Sequence, residues 1–440
     1  MIFVKDTEAV MRNGFKFTAY MGPPPADARD GKKIAKTENL MTKENYANIK
    51  ACGFDGVAGL YEHIPFQYKT ALDLCKQSGL KYNLRDQTDE GKSLEEMILS
   101  DDFGKEYEIY GAALAKRLGA LTKNAALNGI LACDEPSALK FKNIRAAKDK
   151  IKGVCPSCAF EVNLLPDYAS AEQLFGDEKD TRTYDDYLEE FIKTVEPEYL
   201  CYDHYALLDI NGVKSVRKSY IKNLRSVAEA AERAKIPFEV FLLTLGHWDF
   251  RTVKTYADIG WQVFTSLAYG AAGAQTFTYW TMVDVTYPNE AKVTTGVVGQ
   301  KGELLPAWYA MKEVIADSRS FEKEYFGYLR VRTAYYPSEK AEMKFLTDER
   351  DAAPLEELKS VKTSGDLLIG LFKNSRGEKA LLVADLTDPK EGKDVRAELV
   401  FNGYNVSVVK GGLKNAELSA EKAELTLKAG GGCFALLNNK

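Results

Sequence analysis

The stretch LNGILACDEPSALK, residues 127–140, decides the fold because it joins a strand signal to a helix signal. An apolar run ends in two adjacent carboxylates, Asp134 and Glu135, and Pro136 follows at once. Apolar run, polar turn and amphipathic segment is the order of a buried strand, a loop and a helix. The same order recurs through most of the chain.

Seven further runs of this kind precede amphipathic stretches or a turn. They are residues 14–22, 54–61, 80–86, 159–167, 198–205, 237–246 and 274–280. Eight strand–helix units within about 300 residues predict a parallel (β/α)8 barrel, a fold of the α/β class. A doubly wound sheet usually carries a GxGxxG motif after its first strand. That position here reads AYMGPPPAD, residues 19–27, without the motif, so the barrel is favoured.

The pattern changes near residue 328. Short alternating strands follow, separated by turns such as NSRGE (374–378) and DPKEG (388–392). This spacing is typical of an antiparallel β-sandwich. The sequence therefore predicts a barrel domain over residues 1–327 and a C-terminal β-sandwich over residues 328–440.

Composition narrows the function classes. The net charge is −5, and this mild acidity argues against nucleic acid as a partner, which would need a concentrated basic face. No apolar run reaches 18 residues, so no membrane span is expected. The first residues show no export signal, which predicts a cytoplasmic protein, although a trimmed chain would look the same. The oligomeric state is left open.

Seven scattered cysteines are typical of a reduced protein rather than a disulfide scaffold. The one close pair, Cys155 and Cys158, has neither a second CxxC nor a nearby histidine, so we interpret it as structural. The sequence predicts no cofactor and no metal.

A barrel carries its active site at the C-terminal ends of its strands. All three histidines follow predicted strands, and so do two of the four tryptophans. Such a gathering of scarce residue types favours a functional rim, to which Asp284 would also belong. The candidate substrate-binding residues are Tyr20, His63, Asp86, Asn163, His204, Tyr205, His247, Trp248, Tyr279 and Trp280.

Carboxylates beside flat aromatic rings suit a sugar substrate. Glycoside hydrolysis needs one protonated and one ionised carboxyl group, and adjacent Asp134 and Glu135 would raise each other's pKa. We therefore expect Glu135 as general acid, Asp203 as partner carboxylate or base, and Asp134 as a ligand or modulator of the Glu135 pKa. The competing interpretation is a helix N-cap formed by Asp134 or Ser137.

The segment GILACDEPS (129–137) resembles the fourth strand of the retaining (β/α)8 glycoside hydrolases of the largest clan, which include the family 42 β-galactosidases. The segment WQVFTSLAYGAAGAQTFTYWT (261–281) is similar to their closing strand. Those enzymes carry Asn-Glu on strand four, and the Glu is the acid/base. This chain has Asp134 instead, and the end of its seventh strand has no glutamate. Glu239 lies near that strand's start, so the clan's two-glutamate mechanism does not carry over.

The Asp-Glu pair is also similar to that of the family 20 hexosaminidases. That resemblance implies that Asp134 orients a substrate acetamido group as nucleophile, with Glu135 as acid and a tyrosine such as Tyr205 assisting. Two further alternatives stay open at this point. One is a sugar-binding barrel without hydrolytic activity, and the other is a metal-dependent hydrolase that uses the histidines.

Overall fold

The computed structural model describes residues 14–30, 33–88, 91–283 and 291–439. Asp284 and the first 13 residues of the predicted barrel domain lie outside the described residues.

Eight parallel strands close into a barrel in which sequence neighbours are spatial neighbours. The prediction of a (β/α)8 barrel is confirmed. The strands are β1 (Lys16–Tyr20), β2 (Gly56–Ala58), β3 (Lys81–Arg85), β4 (Leu127–Asp134), β5 (Ala159–Leu164), β6 (Leu200–Asp203), β7 (Phe238–Leu243) and β8 (Gly273–Phe277).

One long helix follows each barrel strand. These helices are α1 (Lys43–Cys52), α2 (Pro65–Ser78), α3 (Phe103–Leu121), α4 (Phe141–Val154), α5 (Tyr184–Val195), α6 (Tyr220–Ala234), α7 (Tyr256–Ala268) and α8 (Pro306–Arg319). Side-chain oxygens of Thr42, Asp102, Thr183 and Thr255 accept hydrogen bonds from the first turns of α1, α3, α5 and α7. Each such cap satisfies a backbone N–H group that would otherwise lack a partner.

Short strands, helices and 3₁₀ turns lie in the connections of the barrel and of the C-terminal part. Antiparallel pairs are formed by Ala28–Asp30 with Lys33–Ala35 and by Leu207–Ile210 with Val213–Val216. Short helices span Leu94–Ile98, Ala171–Phe175, Glu322–Tyr325 and Glu349–Ala352, and 3₁₀ turns span Ala138–Lys140, Lys344–Leu346 and Pro389–Glu391.

The base of the barrel interior is polar. Glu161 accepts hydrogen bonds from Asn83 Nδ2 at 3.1 Å, Tyr199 OH at 2.8 Å and Gln275 Nε2 at 2.5 Å. Glu239 is buried near Glu161, whose charge acts on it, and is the second residue of β7. The position of Glu239 at the base keeps it away from the C-terminal mouth.

The C-terminal part is a β-sandwich, as predicted, with two antiparallel sheets. Its strands are β9 (Leu329–Tyr336), β10 (Leu358–Thr363), β11 (Leu367–Lys373), β12 (Lys379–Asp385), β13 (Val395–Phe401), β14 (Tyr404–Gly411), β15 (Leu413–Ser419), β16 (Lys422–Leu427) and β17 (Gly432–Asn439). The sheet orders are β9–β11–β12–β17–β14 and β10–β13–β16–β15.

The sandwich packs tightly on the outer surface of the barrel at α6 and α7. A Cβ atom on Gly370 in β11 would lie 2.3 Å from the Ala268 carbonyl oxygen of α7, so only glycine allows this approach. Beside it, buried Arg225 of α6 pairs with Asp351 at 2.6 Å, and Tyr269 OH donates to the same carboxylate at 2.9 Å. The barrel and the facing side of the five-stranded sheet therefore share one core, while a second core lies between the two sheets of the sandwich.

Cysteine chemistry departs in part from the sequence expectation. Cys155 and Cys158 form a disulfide, with their Cα atoms 5.4 Å apart. This disulfide closes the turn between α4 and β5, so the pair has a structural role, as expected, but exerts it through a covalent bond. The other five cysteines are free and buried. In the described part of the chain, no helix is both long and apolar enough to cross a membrane.

Candidate active site

A β-bulge near the end of β4 sets the direction of Asp134. Leu131 lies opposite Glu161, but Cys133 lies opposite Val162 and Asp134 opposite Asn163, so β4 holds one extra residue. Simple alternation from inward-facing Leu131 would turn Asp134 out of the barrel. The bulge restores the inward direction, as bulges beside active sites often do. Asp134 and Asn163 therefore face the same interior, and Asn163 Nδ2 donates to Asp134 Oδ1 at 3.0 Å.

The backbone of Glu135 is in the left-handed region, with φ at 46°. A residue with a side chain adopts this conformation at a cost on the order of 1 kcal/mol. The Glu135 N–H group donates to the Asn163 carbonyl oxygen at 2.8 Å, which holds the residue at the strand end. The following 3₁₀ turn is capped by Ser137. Since Ser137 forms this cap, capping explains neither carboxylate.

Glu135 and Asp203 meet at the mouth of the barrel through a hydrogen bond between their carboxyl groups. Asp203 ends β6 and is only 5% exposed. Tyr205 forms a second side-chain hydrogen bond to Asp203. Within the described residues, one Asp203 oxygen, Oδ1, has no hydrogen-bond partner. The two carboxyls that the sequence predicted as a catalytic pair are thus in contact.

Both members of this pair hold protons more firmly than usual. Burial raises the pKa of Asp203 well above its ordinary value, and the charges of Glu135 and Asp134 add to the rise. The Glu135 residue is exposed at the mouth, but protein surrounds its carboxyl end. Removal of water from that carboxyl, followed by the charge of Asp134, raises the Glu135 pKa to about 7. Two such close acids titrate as a unit.

An ion pair behind the mouth supports Asp134. Burial raises the pKa of Asp134, while the Arg85 guanidinium and the Asn163 amide counteract this. Arg85 Nη2 pairs with Glu95 Oε2 at 2.7 Å, and Glu95 Oε1 accepts from the Asp134 N–H group at 3.0 Å. Sequence reasoning missed this role of Arg85 and Glu95. Arg85 stands at a predicted strand end, but no local signal marks Glu95.

Aromatic rings line one side of the mouth. Phe277, which sequence reasoning also missed, lies 6.2 Å from the Tyr20 ring, 5.3 Å from Tyr205 and 5.4 Å from His247. His247 Nδ1 is 2.9 Å from the Leu245 carbonyl, and burial lowers the His247 pKa, so its imidazole is neutral at pH 7. These rings give the mouth an aromatic wall that adjoins Asp203 through Tyr205.

Trp248 differs from the other three tryptophans because it is 49% exposed, whereas they are buried. Its backbone also has a positive φ, 48°, and its N–H group donates to the Ala291 carbonyl at 2.6 Å. A large exposed ring in the loop after β7 is suited to stack on a sugar face.

Three predicted substrate contacts point away from the mouth. His204 lies between the rings of Tyr168 and Tyr220, with its Nε2 3.2 Å from Ser219 Oγ. Tyr279 and Trp280 are each 1% exposed: Tyr279 packs on Phe54, and Trp280 Nε1 donates to the Gln300 carbonyl. Geometry gives no support to substrate binding by these side chains, because neighbouring protein already surrounds each of them.

Two further candidates have internal partners. Both oxygens of Asp86 bind Arg117, and Oδ2 also accepts from the Leu94 N–H group. His63 is buried, with its backbone N–H group donating to Gln67 Oε1 at 2.9 Å. Asp86 acts in an ion pair, and a substrate contact by His63 stays a prediction.

Two unpredicted residues lie beside the acid pair. The Tyr168 ring is 38% exposed, and burial together with the charges of Asp203 and Glu135 raises its pKa. The Arg217 guanidinium stacks over this ring at 4.0 Å. Neither residue closes a predicted strand, which is why a search of strand ends overlooked them.

The histidines do not assemble into a cluster. Across the described ranges, no three His, Cys, Asp or Glu side chains converge as ligands of one metal ion.

No protein-family model matches this chain, and no curated protein matches it either. Among solved structures, it is similar to a family 39 glycoside hydrolase from the gut symbiont Bacteroides cellulosilyticus WH2. The identity is 11%, the coverage is 97% of this chain and 82% of that one, and the TM-score is 0.51. A GH5_18 protein from Streptomyces cattleya, in complex with GlcNAc, shows 12% identity, covers 70% of this chain and 80% of that one, and has a TM-score of 0.43. At such identities a likeness is one of fold, and the fold shared with the family 39 enzyme is the (β/α)8 barrel.

Proposed function

We propose that this protein is a glycoside hydrolase in which Glu135 and Asp203 share one proton at the mouth of the barrel. The observation that carries the proposal is the hydrogen bond between these two carboxyls, both with raised pKa values. Between the two titration steps of such a pair, one group is an acid and the other is ionised. Glycosidic cleavage requires this combination.

Exposure assigns the roles. The Glu135 residue is partly exposed whereas Asp203 is buried, so Glu135 reaches a glycosidic oxygen more readily and donates the proton. Asp203 lies beneath it and acts as the partner carboxylate. Inverting enzymes keep their carboxyls about 6.5–9.5 Å apart to admit a water, whereas retaining enzymes keep them about 5–5.5 Å apart. Carboxyls in hydrogen-bond contact lie closer together than either spacing and leave no space for that water, so the retaining route, with Asp203 as nucleophile, requires the smaller separation of the two groups.

Substrate binding follows from the unsatisfied and exposed groups around the pair. Asn163 Oδ1 and Asp203 Oδ1 are buried acceptors without partners in the described part of the chain, and a sugar hydroxyl would supply the donor that each lacks once a small movement of the mouth exposes them. The exposed Trp248 ring and the aromatic wall at Phe277 provide faces for the apolar side of a sugar ring.

A second candidate is substrate-assisted cleavage of an N-acetylhexosaminide. It is favoured by the end of β7, which carries Leu243 and Thr244 where the large clan has its nucleophile. The raised pKa of Asp203 also keeps its carboxyl protonated to higher pH, and a protonated carboxyl is not a nucleophile. In this route Asp134 orients the acetamido group, and the reaction is confined to 2-acetamido sugars.

A panel of aryl glycosides with and without the 2-acetamido group tests both routes, with the first product anomer read by NMR. Because Glu135→Gln removes the general acid, we expect a loss of about 10²–10⁴ in kcat/KM. The control is Glu108→Gln, an exposed carboxylate on α3. Full activity of Glu135→Gln contradicts the assignment. Binding without turnover of any glycoside would favour the non-hydrolytic alternative instead.

A further inference from the structure

Arg217 is fixed in place at the edge of the mouth. It follows the hairpin of Leu207–Ile210 and Val213–Val216, and its backbone N–H group donates to the Ala206 carbonyl at 2.7 Å. Its guanidinium stacks 4.0 Å from the Tyr168 ring centroid and lies 5.5 Å from that of Phe250. Its Nε donates to the Tyr205 carbonyl at 3.4 Å. These contacts hold a half-buried cation in one orientation.

The outer end of this guanidinium has no protein partner. Among the described residues, no carboxylate pairs with Arg217, and no acceptor is bonded to its two terminal nitrogens. By contrast, Arg85 and Arg117, two other partly buried arginines, each pair with a carboxylate. A planar guanidinium fixed by stacking presents its two remaining N–H edges as a ready fork for an oxyanion.

The fork lies close to the chemistry without taking part in it. The charges of Asp203 and Glu135 help to raise the pKa of Tyr168, the residue on which Arg217 stacks. Tyr205, whose carbonyl holds Arg217 Nε, bonds Asp203 through its side chain. Arg217 itself pairs with neither catalytic acid. The cation therefore contacts Tyr168 and Tyr205, two residues that themselves interact with the acid pair.

We infer that Arg217, supported by Tyr168, binds an anionic substituent of a saccharide, so that the substrate is an acidic glycan. The inference rests on the proposed function for its biological meaning, but it concerns binding and is tested without turnover. A uronic acid carboxylate and a sulfate ester present the same oxyanion chemistry to the fork.

Affinity electrophoresis of the Glu135→Gln protein provides the test. The gels contain one of three classes of polysaccharide: uronates (alginate, polygalacturonate, hyaluronan), sulfated chains (dextran sulfate, carrageenan) or neutral chains (xylan, galactan, mannan, β-glucan). We expect retardation in at least one anionic gel, and the class that retards identifies the oxyanion. Because the whole chain has a net charge of −5, general attraction to polyanions does not mimic this result.

Variants then assign the binding to the stacked cation. Arg217→Met should weaken binding to the anionic chain about tenfold or more. Arg217→Lys, which keeps the charge but not the fork, should recover only part of the loss. Lys218→Met removes an exposed charge next in sequence and should bind as the parent does. Thermal melting checks that each variant is folded.

Two results overturn the inference: no retardation by any anionic chain, or equal retardation of the parent and Arg217→Met. Either of these results, together with hydrolysis of a neutral glycoside by the unmodified protein, would leave the proposed function intact while removing this inference. Binding of an anionic chain through Arg217, with no hydrolysis by the unmodified protein, would support this inference and contradict the proposed function.

Discussion

Replacement of Asp134 by Asn should move the titration of the catalytic pair to lower pH. The charge of Asp134 raises the pKa of both Glu135 and Asp203. Asn removes that charge and keeps a similar shape, and its amide oxygen still accepts from Asn163 Nδ2. An acid without a neighbouring negative charge ionises more easily. Both titration steps therefore shift downward.

The size of the shift follows from the position of the two groups. Unit charges about 6 Å apart interact by about 3 kcal/mol at an effective dielectric of 20, and by less than 1 kcal/mol in water. Because Glu135 is exposed, the lower half of this range applies, and about 1.4 kcal/mol equals one pKa unit. The Glu135 step near 7 should fall to about 6.

Carbon-detected NMR of labelled carboxyl groups measures this step directly, and the pH dependence of kcat/KM measures it through activity. The whole pH profile should move toward acid, since the singly protonated pair then forms at lower pH. Asp101→Asn, which removes an exposed carboxylate, is the control and should leave the step in place. A Glu135 step that stays at 7 or moves upward in Asp134→Asn refutes the electrostatic reasoning.

Two further predictions concern stability. Burial raises the pKa of Glu239 from 4.5 to about 7, so its contribution to stability is full below pH 4.5 and is lost as pH rises to 7. The free energy of unfolding of Glu239→Gln, measured in urea relative to that of the parent, should rise by about 3 kcal/mol from pH 4.5 to pH 8. A variant-minus-parent difference that is the same at both pH values would contradict this. Asp351→Ala leaves Arg225 short of a buried partner and should lower the unfolding free energy by about 3 kcal/mol. A change below about 0.5 kcal/mol would show that Asp348 alone satisfies Arg225.

Sequence reasoning succeeded where the signal is local or follows from topology. Apolar runs and helical periods are local, so the eight units and the later β-strands could be read directly. Parallel strands all end on one side of a barrel, so Glu135 and Asp203 were expected at one mouth although 68 positions separate them in the sequence. That rule predicts a shared mouth and no distance, and only the structure brings the two carboxyls into hydrogen-bond contact.

The same reasoning failed where side-chain direction decided the outcome. His204, Tyr279 and Trp280 stand at strand ends, yet each packs among internal neighbours. A side chain at a strand end points either into or out of the barrel, and a β-bulge of one extra residue reverses which of the two it is. The extra residue in β4, which turns Asp134 inward, leaves no mark in the amino-acid pattern.

The sequence by itself determined the order of strands and helices, and through that order the single mouth where scarce polar residues collect. Only the tertiary structure decided which of those residues face the mouth and how firmly they hold protons. The physical reason is that periodicity is a property of neighbouring residues, whereas a pKa depends on water excluded and charges brought near by distant segments. Glu135 is acidic by sequence, and its pKa near 7 is a product of the fold.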